Sequence, residues 1–118
     1  MNPIQKAAFE SEISQAQQLL AQGDMDAAFT HLERAHVIGQ AFVLPHIKSH
    51  GLMLKVEWQR RRVVAMLGQF VRIVLGALGS AIGVVPVGNT GGSDISMFKR
   101  MPIPPELQNV IEGRAPDR

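Results

Sequence analysis

The chain has 118 residues, of which 46% are hydrophobic, and it carries a formal net charge of +2. Length and composition together predict one folded domain over residues 1–118 with a single core, and they exclude an intrinsically disordered chain. The sequence contains no cysteine, which excludes disulfides and thiolate metal sites and leaves imidazole and oxygen ligands for a metal.

The beginning of the chain and its charge pattern bear on location and partners. The segment "MNPIQKAAFESEI" lacks the basic start and apolar run of a secretory signal, so we expect a cytoplasmic location without export. Most basic residues follow Leu44, including a triplet from Arg60 to Arg62. Such a cluster can attract nucleic acid, but aromatic residues for stacking on bases make up only 5% of the chain. We therefore interpret the triplet as a solvated helix junction and expect no nucleic acid partner.

The first third of the chain predicts two helices in an antiparallel hairpin. Asn2 and Pro3 form a cap and first-turn pair, and near-helical apolar spacing continues to about Gln22. Gly23 then provides a stop and Asp24 a new cap, which starts a second amphipathic helix. The stretch "AQQLLAQGDMDAAFTHLERA" resembles half of a tetratricopeptide repeat. No clear second copy follows with that period, so we predict a tetratricopeptide-like hairpin and not a repeat solenoid.

Two further helices are predicted between Pro45 and Val85. Pro45 suits the first turn of a third helix that continues to about Gln59. The fourth stretch, "VVAMLGQFVRIVLGALGSAIGVV", is long and apolar enough to span a bilayer. Helical periodicity places large apolar residues on one side, namely Val64, Leu67, Val71, Val74, Leu75, Leu78 and Ile82. The other side holds Arg62, Ala65, Gln69, Arg72, Gly76, Ser80 and Gly83. Because a lipid-facing helix needs no such second side, we predict a core helix of a soluble protein, with a membrane helix as the alternative.

The chain changes character after Pro86. Residues 86–118 are rich in glycine and proline, which predicts turns and extended chain, with a short helix opening at Pro105. Apolar side chains in this segment need burial, so we expect it to wrap over the helices of residues 1–85. The predicted fold is therefore all-α: an antiparallel bundle of about four helices and an irregular C-terminal segment.

All four histidines of the chain lie between residues 31 and 50. On the second helix, His36 lies about 40° around the helix axis from Leu32, which is the centre of the apolar face. Glu33 is adjacent to His36 at i, i+3. An E-x-x-H pair of this kind lets a carboxylate and an imidazole reach one ion. His31 is about 140° from His36 and is the least suited of the candidate ligands.

The third helix supplies a second pair of histidines. His46 and His50 are spaced i, i+4 on one face, a common chelating arrangement for divalent metals, and Glu57 continues the same stripe. The short link before this helix predicts that it is an antiparallel neighbour of the second helix, which brings His36 level with both. Three imidazoles with Glu33 or Glu57 would make a nitrogen and oxygen site that favours zinc, with nickel, cobalt, iron and copper as alternatives.

A different interpretation treats the histidines as packed side chains of a helical interaction module, either homodimeric or binding another protein. A metal-binding protein for buffering or sensing and an interaction scaffold thus stand as alternatives. Neither interpretation requires an enzyme, because no nucleophile-elbow motif and no evident pair of base and nucleophile appear. We expect metal binding and infer no reaction from the sequence, and a membrane-associated protein that uses the fourth helix is a third alternative.

Four segments in order resemble a known family: "AAFTHLERAHVIGQ", "PHIKSHGLML", "PVGNTGG" and "FKRMPIPPEL". Together they are similar to small bacterial proteins of domain-of-unknown-function family 3703, over a range from about Phe9 to Leu107. The family pattern includes the residues matching His31, His36, His46, His50, Asn89, Thr90, Gly91 and Gly92. Arg100 stands where the pattern has a proline. The resemblance implies an intact domain and implies no activity, substrate or cofactor.

Overall fold

A computed structural model describes residues 1–115, and within this range the regular secondary structure is α-helical. The helices are α1 (Pro3–Ala21), α2 (Met25–Gly39), α3 (Val43–Arg60), α4 (Val63–Ile82) and α5 (Pro105–Ile111). This architecture confirms the predicted all-α helical bundle, with α5 as the short helix expected at Pro105. The last three residues of the predicted wrapping segment, 116–118, lie outside the described residues.

The first hairpin forms where the sequence places its caps. The Asn2 side chain accepts a hydrogen bond from the Gln5 backbone N at 2.7 Å, and that of Asp24 accepts one from the Ala27 backbone N at 3.2 Å. Gly23 connects the helices with a φ of +80°, a conformation that glycine adopts without a Cβ clash. These local signals fix α1 and α2 as packed neighbours. Their likeness to a tetratricopeptide unit stays a prediction.

The apolar core lies between α1, α2 and α3, and α5 packs on α1 and α2. Its fully or nearly fully buried members are Phe9, Ile13, Ala16, Ala28, Leu32, Ala35, Val37, Ile38, Met53, Val56 and Leu107. The Asn2 side chain also donates to the Ile111 carbonyl at 3.0 Å, which joins the start of α1 to the end of α5. The core thus holds α2 and α3, the two helices that carry the histidines, in a fixed relation.

Helix α4 packs against α3 and against none of the other helices in the described part of the chain. The predicted burial of its apolar side is wrong: Val64 is 84% exposed and Ile82 is 75% exposed, while Gln69 is fully buried. The polar side faces inward because it hydrogen-bonds the buried histidines of α3, and buried polar groups require partners. By length and composition α4 could also cross a membrane, as the one such helix among residues 1–115.

The segment after α4 lies across α2 and α4. The Gln40 side chain donates to the Pro86 carbonyl at 3.1 Å, and the Arg72 guanidinium donates to the Ile95 carbonyl at 2.9 Å. Gly88 has a φ of +81°, and a Cβ there would lie 1.8 Å from the Met101 carbonyl oxygen. This close approach folds the segment back on itself. It thereby brings the Asn89 backbone carbonyl to the ring of His36.

Candidate metal centre

Three buried histidines meet between α2 and α3. His36 comes from α2, and His46 and His50 come from consecutive turns of α3; each ring is at most 4% exposed. The Nε2 atoms of His36 and His50 are 3.0 Å apart, and one nitrogen from each of the three rings lies within 4.8 Å of the others. The structure therefore brings together the three imidazoles singled out in the sequence. We call them the histidine cluster.

Each ring of the histidine cluster uses its Nδ1 atom to bind an oxygen outside the cluster. His36 Nδ1 is 2.7 Å from the Asn89 carbonyl oxygen, and His50 Nδ1 is 2.8 Å from Gln69 Oε1. His46 Nδ1 is 2.6 Å from Ser80 Oγ. Partners of this type are the usual means by which proteins orient metal-ligating imidazoles.

The hydrogen bonds made by these oxygen-bearing groups fix the tautomers of the rings. The Asn89 carbonyl can only accept. The Gln69 amide nitrogen donates to the Gly91 carbonyl at 3.0 Å, so its oxygen faces His50 as an acceptor. The Ser80 hydroxyl donates to the Gln40 carbonyl at 2.7 Å, so it too accepts from its histidine. These partners assign the proton of all three rings to Nδ1, which leaves a lone pair on every Nε2.

The environment favours neutral imidazoles. Burial lowers the pKa of His50 to about 4, with a further contribution from the nearby His46 and Arg72. Burial and then the other two rings hold the pKa of His36 well below its usual value, and burial also lowers the pKa of His46. At neutral pH the three rings of the cluster are thus neutral, and their Nε2 lone pairs face one another. Metal ions bind imidazole in this neutral form.

The geometry suits a cation better than any pairing between the rings. Two neutral Nε2 atoms at 3.0 Å are both acceptors, so they repel each other and share no hydrogen bond. Ligand nitrogens about 2.0–2.1 Å from one zinc ion are themselves separated by roughly 3 Å. A divalent cation would thus turn the least favourable contact of the cluster into two coordinate bonds.

The other predicted ligands lie apart from the histidine cluster. Glu57 is fully buried, but its oxygens lie 3.0 Å from Arg60 Nη1 and 3.1 Å from Arg62 Nη1. Glu33 lines a separate hollow with Arg60 and Asp94, and its partial burial raises its pKa. The charge of Glu57 is thereby balanced by arginines, in a pairing that requires no metal.

His31 also belongs to a different network. Its Nδ1 lies 2.6 Å from Glu12 Oε2 in the contact between α1 and α2, and Arg34 Nε donates to the other oxygen of Glu12 at 2.9 Å. This position agrees with the angular separation that made His31 the least suited candidate. His31 is therefore a useful control residue in experiments on the cluster.

Three residues that orient the rings were not identified as site residues from the sequence: Gln69, Ser80 and Asn89. Two of them were visible as the polar side of α4, where a glutamine and a serine interrupt a helix that is apolar apart from Arg72. Asn89 acts through its backbone carbonyl, which residue type does not reveal. The Asn89 side chain accepts from Gly91 N at 2.8 Å and donates to the Lys99 carbonyl at 2.7 Å. These two bonds hold the Asn89 backbone carbonyl in place.

Replacing Gly76 by alanine is expected to displace one ring of the cluster. A Cβ at Gly76 would lie 2.9 Å from Cε1 and Nε2 of His46. Forced repacking of this kind costs about 1–3 kcal/mol, so zinc affinity measured by competition with a chromogenic chelator should fall about tenfold or more. Gly51→Ala is the matched control, since a Cβ there meets nothing within 4 Å and helix propensity should stabilise α3. Equal zinc affinity in the two variants would contradict the contact between Gly76 and His46.

No curated protein and no solved structure matches this chain. Residues 4–111 match a protein family described as "Protein of unknown function (DUF3703)". The matched range includes the histidine cluster and all three Nδ1 partners, and it confirms the resemblance drawn from the four sequence segments. The chain therefore belongs to this family of proteins of unknown function.

Proposed function

We propose that this protein binds a divalent transition metal ion through Nε2 of His36, His46 and His50, and that it acts in metal buffering or sensing. The observation that carries the proposal is the pair of buried Nε2 atoms 3.0 Å apart, each with its ring protonated on Nδ1. A packed structural histidine pairs both ring nitrogens, whereas here the Nε2 atoms face one another. We place this function in the cytoplasm, because a chain without cysteine forms no disulfides and suits a reducing compartment.

Zinc is the favoured ion. Three neutral imidazoles with partners on their Nδ1 atoms suit zinc, and nickel, cobalt, iron and copper accept the same donor set. Three protein ligands leave at least one coordination position for water or another small ligand, which is the arrangement of open zinc sites. The proposal assigns no ligand role to Glu33, Glu57 or His31, whose partners lie elsewhere.

Metal loading tests the proposal directly. Wild-type protein without an affinity tag is purified, and its metal content is measured by elemental mass spectrometry before and after dialysis against zinc, nickel, cobalt, iron and copper in turn. We expect close to one ion per chain, lost in the double variant His46→Ala, His50→Ala. His31→Ala is the matched control and should load like wild type. Wild-type protein that takes up none of the five metals would overturn the proposal.

The exposed side of α4 supports a second function, self-association. Leu67, Phe70 and Leu78 are each at least 60% exposed, on a helix whose sequence has Arg72 as its one charged residue. Exposed apolar surfaces of this extent are typical of interaction sites. We propose that two copies of the chain pack these sides together, because a two-fold pair buries the same apolar surface on both partners. A membrane-spanning α4 would instead expose to lipid the polar side of the helix, which binds the histidines.

Light scattering after size-exclusion chromatography tests this second proposal. Wild type should elute as a dimer, and Leu67→Glu, Leu78→Glu should elute as a monomer with its helical circular dichroism unchanged. Leu44→Glu is the control, because Leu44 is 77% exposed on α3, outside the α4 surface. A monomeric wild type would contradict self-association. If that monomer also floats with anionic phosphatidylglycerol vesicles, the α4 surface binds lipid instead.

A further inference from the structure

We infer that the cavity beside the histidine cluster binds a small organic carboxylate, which coordinates the metal at its open position and pairs with Arg72. This inference rests on the proposed metal site and extends it from a bound ion to a ligand of defined chemistry. The ligand would have one carboxylate group and a compact apolar body.

The cavity has the size and composition of a small-molecule site. Its volume is about 360 Å³, within the usual range of roughly 300–1,000 Å³ for ligand pockets. The three histidines of the cluster form part of its wall. Its apolar lining comes from Leu75, Val84, Val85, Pro86, Met97 and Phe98. An ion held by the cluster would thus border a space that an apolar group can fill.

The charges around the cavity are unbalanced. Arg72 and Arg100 line it together with the histidines, and the described residues contribute no aspartate or glutamate to its lining. A divalent ion on three neutral imidazoles would add two positive charges beside these guanidinium groups. Positive charge in an apolar environment requires compensation, and the described lining of the cavity supplies none, since Asp94 acts on Arg72 from a neighbouring hollow outside it. An anion that enters the cavity would supply it.

Arg72, which lines the cavity, has a hydrogen-bond donor without a partner in the described part of the chain. Its Nη2 donates to the Ile95 carbonyl at 2.9 Å, while its Nε is buried and has no partner among residues 1–115. Arg72 lies close enough to the cluster for its charge to lower the pKa of both His36 and His50. Arginine and carboxylate form short, charge-assisted hydrogen bonds. One oxygen of the ligand can therefore accept from Arg72 while the other coordinates the ion.

Cobalt-loaded protein provides the test, because the visible spectrum of cobalt reports on its coordination. Benzoate is the probe, benzamide is its neutral counterpart, and acetate lacks the apolar body. We expect saturable spectral changes with benzoate, at least tenfold weaker binding of acetate, and no response to benzamide. In Arg72→Gln the benzoate affinity should fall roughly tenfold or more, with cobalt content unchanged, since charged hydrogen bonds have this magnitude.

Two further variants separate a binding role of Arg72 from a structural one. Arg72→Lys retains the charge and should bind benzoate more tightly than Arg72→Gln. Arg114→Gln removes an exposed guanidinium that pairs with Asn109 outside the cavity, and this variant should bind benzoate like wild type. Cobalt-loaded wild type that gives no saturable response to benzoate would overturn the inference and leave the metal site in place. A chain that takes up neither cobalt nor any of the other four metals would overturn both.

Discussion

Adding zinc to the metal-free protein is expected to raise its free energy of unfolding by about 2.7 kcal/mol when free zinc is a hundredfold above its dissociation constant. The reason is that the three imidazoles converge in the folded chain and are separated in the unfolded one, so zinc binds the folded state selectively. For a chain of this length the corresponding rise in Tm is on the order of 10 °C. Differential scanning calorimetry with and without zinc measures both.

The variants distinguish this effect from nonspecific stabilisation by the ion. His46→Ala, His50→Ala should show no zinc-dependent rise in Tm, whereas His31→Ala should show the full rise because its ring pairs with Glu12 outside the cluster. A chelator should reverse the rise in wild type. Identical zinc responses in the two histidine variants would show that the ion acts at some other place on the protein.

The second large effect is the pH dependence of the metal-free protein. The pKa of His50 is about 4 in the folded chain, against an ordinary value of 6.5. Between these values the unfolded chain binds more protons, so stability is fully present above pH 6.5 and falls as the pH approaches 4. The loss from His50 alone is about 3 kcal/mol, and the lowered pKa values of His36 and His46 act in the same direction.

Urea unfolding between pH 7.5 and 4, in the presence of a chelator, measures this loss. His50→Gln removes the titrating group, and its stability should fall less steeply over the same interval. A variant with the slope of wild type would show that other groups govern the acid sensitivity. The same low pKa values predict that protons displace the metal only at acid pH, so zinc should remain bound at pH 5.5, where an ordinary imidazole is mostly protonated.

The fold was predictable where short-range signals control the chain. Asn2, Asp24 and Gly23 mark helix ends through local hydrogen bonds and backbone conformation, and the structure places the ends of α1 and α2 there. Pro105 opens α5 in the same way. These signals need no knowledge of the rest of the molecule.

The histidine cluster was predictable for a related reason. His46 and His50 share a helical face by spacing alone, and a short turn between α2 and α3 brings His36 to the same level. The same reasoning placed Glu57 near the site because it shares this face, although a rise of 1.5 Å per residue puts it about 10 Å further along the helix than His50. Of the two arginines that pair with Glu57, Arg60 is its i, i+3 neighbour on α3, whereas Arg62 follows the end of the helix, where spacing within α3 no longer applies.

The orientation of α4 could not be read from its apolar side. A hydrophobic stripe predicts burial against some surface, and in a single chain that surface is normally the core of the same molecule. Here the imidazoles of α3 need acceptors, and the Gln69 amide and Ser80 hydroxyl satisfy this need only when α4 turns its polar side inward. The apolar side is then left at the surface, with Val64 84% exposed.

Because α4 is attached by its polar side alone, the histidine cluster and the outer side of α4 are coupled thermodynamically. Gln69 and Ser80 orient two of the three rings, so a displacement of α4 relative to α3 changes the affinity of the cluster for its ion. A partner that binds the outer side of α4 more tightly in one position of the helix than in another changes the metal affinity of the cluster by some factor. By linkage, the metal changes the affinity of α4 for that partner by the same factor. The occupancy of a buried ion would thereby be communicated to the protein surface through a single helix.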